Sequence, residues 1–155
     1  MRRTLDLLLA ASRLLLGVLF MWAAATKVTD LAGFAEEVAD YRLLPPVVVP
    51  WIAVVVPGIE VAAGLALLAG VWTRAGALLV SGMLVVFIAG LSQSLLRGID
   101  LRCGCFGGTD VATWTTVVRD VLLLAPSLLV LRFGPGPLRL PLGVEDGGAA
   151  ARRGP

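Results

Sequence analysis

Four long apolar runs constrain this chain more than any other feature: about Leu5 to Thr26, Val47 to Gly70, Thr73 to Leu96 and Trp114 to Phe133. Each has the roughly 20 residues that an α-helix needs to cross a hydrocarbon core. Inside lipid the backbone must satisfy its own hydrogen bonds, so each run is expected to be a helix. Composition agrees: 58% of the 155 residues are hydrophobic and 15% charged, against about half and a quarter in soluble domains. A net charge of +2 gives no footprint for nucleic acid. The expected architecture is all-α, an integral membrane four-helix bundle embedded in lipid. Residues 1–134 form the membrane domain, and 135–155 a Gly- and Pro-rich tail without periodicity that reads as disordered and cytoplasmic. Gly70 and Thr73 leave room only for a tight turn, making spans two and three an antiparallel hairpin.

The first run begins like a secretory signal, with Arg2 and Arg3 before it and Ala23-Ala24-Ala25 late in it. It is too long for a cleaved signal's apolar core of about 7–15 residues, and Arg13 interrupts it, so it reads as a retained anchor. Four spans place both termini on one side. Arg2, Arg3, Arg74, Arg132, Arg139, Arg152 and Arg153 fall on that side, and Lys27, Arg42, Arg97 and Arg102 on the other. The bias points to cytoplasmic termini in the cell membrane.

Between spans one and two lies "DLAGFAEEVADYRLLPP". Leu31, Phe34, Val38 and Tyr41 recur at helical spacing opposite Glu36, Glu37 and Asp40. With Asp30 as N-cap and Pro45-Pro46 as a stop, the segment predicts a short amphipathic interfacial helix. It either lids the bundle or merely lies on lipid as a connector.

Charges inside spans are costly and usually paired in a bundle interior. At 1.5 Å per residue, Arg13 lies about 12 Å from the cytoplasmic end of span one, and Glu60 about 15 Å from that end of span two. Matching depths predict an intramembrane charge pair between Arg13 and Glu60. Arg119 and Asp120 are neighbours whose Cα–Cβ bonds diverge, so other partners are expected, with Gln93 and Lys27 at the right level. Pro57 predicts a kink in span two.

The two cysteines of the chain, Cys103 and Cys105, stand in "LRCGCFGG", between spans three and four and on the outer side in this orientation. There is no histidine, and two thiols fall short of the four ligands of a structural zinc; no metal site is assigned. Three readings remain. Two thiolates can hold Cu(I). A structural disulfide is possible, though so small a loop removes little unfolded-state entropy. The third is thiol–disulfide exchange. Cα atoms two residues apart in an extended chain are about 7 Å apart, near the limit for a bridge, so the chain must fold back at Gly104. Strained, exposed disulfides are the exchangeable ones. Arg102 and Arg119 would favour thiolate, and Phe106 offers a visiting protein an apolar contact.

Several stretches resemble the MauE family of methylamine-utilisation-type membrane proteins, related to the DoxX-like four-helix proteins. They are "ATKVTDLAGFAEEVADYRLLPP", "PGIEVAAGLALLAG", "RGIDLRCGCFGG" and "RDVLLL". The opening "SRLLLGVLFMWAAATK" resembles a DoxX-type first helix through Arg13, Gly17, Phe20 and Lys27. The likeness spans about residues 12 to 130. It implies a four-helix bundle in extracytoplasmic thiol–disulfide chemistry, with a thioredoxin-like partner and a place in maturing the disulfide-rich small subunit of methylamine dehydrogenase. The redox pair would be Cys103 and Cys105; the matched Lys27, Tyr41, Glu60 and Arg119 receive no role from it. If electrons pass through the protein, a second acceptor is needed, and a lipid quinone docked near Trp51, Trp114 and Phe106 is one option. A rival from another class is a non-enzymatic scaffold or maturation factor for a secreted thioredoxin-like protein.

Overall fold

A computed structural model describes residues 2–98 and 113–134, with side chains from residue 4 onward. Among these, the chain forms five helices and no strand: α1 (Arg2–Thr29), α2 (Leu31–Asp40), α3 (Val49–Ala69), α4 (Thr73–Leu96) and α5 (Trp114–Phe133). All but α2 are long and apolar enough to cross a membrane, and α2 is the expected amphipathic helix. The tail beyond Gly134 lies outside the described residues.

Local chemistry sets the helix ends. Asp30 is the single residue between α1 and α2, and its Oδ1 accepts from the Gly33 N–H at 2.9 Å. That bond satisfies one of the free donors of a helix start. α2 stops at Tyr41, and Arg42 follows with a left-handed φ of 51°. Pro50 falls in the first turn of α3, where its missing N–H costs nothing. α3 runs through Pro57 without a break and ends at Gly70, whose φ of 73° is the left-handed cap that glycine adopts without strain. α5 opens with a capping box between Thr113 and Thr116.

α1 packs against α3 and α5, and α4 packs against the same two, so the four spans close a ring in the order α1–α3–α4–α5 with antiparallel neighbours. α2 lies mainly on α3, at the end of the bundle where α4 stops and α5 starts. The core between the spans includes Leu16, Phe20, Leu67, Val80 and Val130. Ser81 and Ser127 join α4 to α5 through a buried 2.9 Å hydrogen bond, and each hydroxyl also reaches a carbonyl one turn back, at Ala77 and Leu124. Exposed Leu, Val and Trp side chains cover the outside, as a lipid-facing surface requires.

Small residues let α1 and α3 approach closely. A Cβ on Gly64 would stand 2.9 Å from the Met21 side chain and 3.2 Å from the Gly17 carbonyl oxygen. Gly64→Leu is therefore expected to wedge the two helices apart, at about 1–3 kcal/mol of overpacking. Thermal unfolding of the detergent-solubilised protein reads this directly. Gly82→Ala, where an added Cβ meets nothing within 4 Å, should leave the midpoint nearly unchanged.

Candidate functional site

The end of the bundle that carries α2 holds a buried ion pair. Lys27 and Glu60 are each 2% exposed, and Lys27 Nζ donates to Glu60 Oε1 at 2.8 Å. The same ammonium donates to the Ala23 carbonyl oxygen at 3.3 Å and lies 5.4 Å from the centre of the Phe34 ring. One cation thus ties α1, α3 and α2 together. Phe34, a buried residue of α2, presents its π system to the charge.

This corrects the pairing expected from depth. Arg13 is also buried, at 2% exposure, but the ion pair of Glu60 is made with Lys27. The contacts Gly17–Leu68 and Gly64–Met21 fix the α1–α3 register, and they bring Glu60 level with Ala23. Arg13 then lies about 15 Å away along the axis. Side chains on a helix lean toward its N-terminus. In an antiparallel pair, Glu60 therefore leans toward the C-terminal end of α1, while Lys27 leans back by a turn to meet it. Counting Cα positions from the span ends overlooked both effects.

A second charge pair lies two turns into α5. Arg119 donates from Nε and Nη2 to Asp120 Oδ1, at 3.1 and 3.0 Å. The Asp120 side chain is 4% exposed and that of Arg119 41%. Adjacent residues were expected to seek other partners; the long arginine side chain instead curls over its neighbour. Diverging Cα–Cβ bonds constrain short side chains far more than this one.

Beside the Lys27–Glu60 pair, the faces of α2, α3 and α4 form an apolar chamber of about 530 Å³ that stands open along the exposed Leu78, Leu79 and Val86. Phe34, Val38 and Tyr41 of α2 form one wall. Gly82 and Gly90 mark the α4 side, where the Tyr41 ring stands 3.5 Å from the place a Gly90 Cβ would occupy. Trp51 and Trp114 do not line it: they are 72% and 54% exposed, and Phe106, the third ring of the expected niche, lies outside the described residues. Sequence reasoning missed the chamber. Its trace was the row Leu78, Gly82, Val86, Gly90 on α4, where two of four same-face positions lack a side chain.

Cys103, Gly104 and Cys105, with Arg102 and Phe106, lie outside the described residues. The described residues on either side of them, Gly98 at the end of α4 and Thr113 at the start of α5, both lie at the α2 end of the bundle. Among the described residues, no group of three or more His, Cys, Asp or Glu side chains could hold a metal ion.

Comparison with known proteins places these features in a family. The family described as "Methylamine utilisation protein MauE" matches residues 5–133. A methylamine utilization protein MauE from Paracoccus denitrificans is 31% identical over 145 residues, covering 91% of this chain and 76% of that protein. The Paracoccus versutus protein of the same name is 33% identical over 121 residues, covering 76% of this chain and 65% of its own length. No solved structure matches.

Proposed function

The chain belongs to the MauE family, and from that premise we propose that it is a membrane thiol–disulfide exchange protein using Cys103 and Cys105 against an extracytoplasmic thioredoxin-like partner. The observation that carries this reading is the Cys-Gly-Cys spacing in a polar segment of an otherwise apolar chain. Arg102 stands beside the pair in sequence and favours thiolate. The relatives are named for methylamine utilisation, and that is the setting in which this chain would serve. The arginine bias supports cytoplasmic termini and a cysteine segment outside, where disulfides persist.

The exchange balances within two proteins. One thiolate of the reduced pair attacks a sulfur of the partner's disulfide, forming a mixed disulfide and releasing the partner's other sulfur as thiolate. The second cysteine then attacks the mixed disulfide. Cys103 and Cys105 are left oxidised, and the partner leaves as a dithiol carrying two electrons and two protons. Run backwards, the same steps oxidise the partner. Reset of the pair by a second thioredoxin-like protein needs no resident cofactor.

The redox state of the pair in living cells tests the reading. Acid quenching followed by maleimide mass-shift is expected to give a mixture of reduced and oxidised chain. That mixture should move toward reduced on adding an external reductant, and shift when the thioredoxin-like partner is deleted. A pair fixed in one state under all three conditions overturns exchange and leaves a structural or Cu(I) role.

A further inference from the structure

We propose that the open apolar groove between α2, α3 and α4 holds one acyl chain of a membrane phospholipid, with the lipid's phosphate on Arg42. The groove runs along α4 from Gly90 to Leu78, a rise of about 18 Å at 1.5 Å per residue. It starts at the level of α2, where the Tyr41 ring and Leu43 stand 3.5 and 3.8 Å from the place of a Gly90 Cβ. One leaflet of a hydrocarbon core is about 15 Å deep, half of about 30 Å. The groove is therefore about as long as one lipid tail reaching inward from the α2 side. Its volume of about 530 Å³, spread over that length, gives a mean width of about 6 Å. An α-helix with its side chains is about 10–12 Å across. Neither a partner helix nor a second copy of this chain fits inside.

Access and chemistry select the same occupant. Leu78, Leu79 and Val86 are exposed along the open side, and on a membrane-spanning helix that side meets lipid tails. The lining is aliphatic and aromatic, and Tyr41 is the one lining residue with a hydroxyl. Water finds no set of hydrogen-bond partners there, whereas a methylene chain gains dispersion contacts from three helices. Gly82 leaves the middle of the groove empty, since a Cβ there would meet nothing within 4 Å. An acyl chain fills that space and joins α2 to α4, because α2 itself packs mainly on α3. A cation then decides between lipids. Arg42 stands between Tyr41 and Leu43, which both line the α2 end of the groove. Its side chain is exposed and forms no ion pair among the described residues. Its φ of 51° holds the backbone in a region that residues other than glycine rarely adopt. A guanidinium binds phosphate through paired, charge-assisted hydrogen bonds. An isoprenoid quinone would supply the chain but has no anionic group for Arg42. The site uses neither cysteine and stands apart from the proposed exchange chemistry.

Native mass spectrometry of the full chain tests the site, first as purified from bacterial membranes in a mild detergent and then with palmitoyl-oleoyl phosphatidylglycerol added. As loosely held lipid is stripped, the unsubstituted protein is expected to keep one phospholipid per chain in both samples. Gly82→Phe puts a ring into the groove. It should cut the retained fraction about tenfold or more, as displacing two buried methylenes already would. Gly82→Ala should leave retention unchanged. Arg42→Gln keeps the groove and removes the charge, and should cut retention about threefold, the scale of an exposed charge contact. Arg74→Gln, an exposed arginine at the opposite end of the bundle, should have no effect. Circular dichroism checks that each variant keeps its helices, and Gly82→Leu replaces Gly82→Phe if the larger ring prevents folding. An unsubstituted protein that keeps no phospholipid would overturn the site, as would a groove-filled variant that keeps as much as the unsubstituted one. Equal losses in Arg42→Gln and Arg74→Gln would overturn the placing of the phosphate, since charge would then act over the whole surface. A retained isoprenoid quinone in place of phospholipid would overturn the choice of occupant.

Discussion

Lys27→Met should destabilise the bundle by about 3–5 kcal/mol, the cost of leaving one member of a buried ion pair without its partner. The pair lies 2% exposed on both sides, so solvent offers the stranded Glu60 carboxylate no relief. It must protonate or draw the helices apart. Glu60→Leu strands the ammonium instead and should cost a similar amount. The double variant should recover much of the loss, because apolar replacements of similar volume are often neutral when both charges go together. Thermal unfolding in a fixed detergent supplies the cycle. A double variant whose loss equals the sum of the two singles would mean that the 2.8 Å contact carries no coupling. The same cycle between Arg13 and Glu60 should be close to additive, since the helix register sets them about 15 Å apart along the axis, beyond the roughly 7–10 Å within which sites usually couple.

That contrast also shows where sequence stopped being readable. The spans were legible because lipid imposes one rule on every residue of a run: α4 and α5 match the expected Thr73–Leu96 and Trp114–Phe133, and α3 starts two residues inside its expected edge. α2 was legible from period and cap together, with Asp30 donating no surprise and accepting the Gly33 N–H as an N-cap should. The presence of buried charge was legible too. Its pairing was not, because pairing depends on inter-helix register, and register here is set by contacts such as Gly17 against Leu68 that a single sequence does not rank. The lean of side chains toward helix N-termini then shifts partners by a further turn. The chamber was least legible of all. It arises from missing side chains at Gly82 and Gly90 and from where α2 docks, and neither gives a periodic signal.

Among functional predictions, the largest effect should come from the cysteines taken one at a time. In a two-step exchange the attacking and resolving thiols are not equivalent. Substituting the resolving cysteine by serine halts the reaction after the first step, so a mixed disulfide with the thioredoxin-like partner should accumulate, visible as a heavier band that reductant removes. Substituting the attacking cysteine prevents the first step, and no such band should form. Both variants should fail to complement a deletion of the gene, because each stops net transfer of the electron pair. Arg102→Glu keeps both thiols but replaces the neighbouring cation by an anion; it should lower the thiolate fraction and slow exchange without abolishing it. A structural disulfide predicts another pattern, in which both serine variants lose stability equally and neither traps a partner. A pure scaffold predicts that both complement. The asymmetry between Cys103→Ser and Cys105→Ser is therefore the outcome on which the exchange mechanism depends, and two fully complementing variants with no trapped partner would end it.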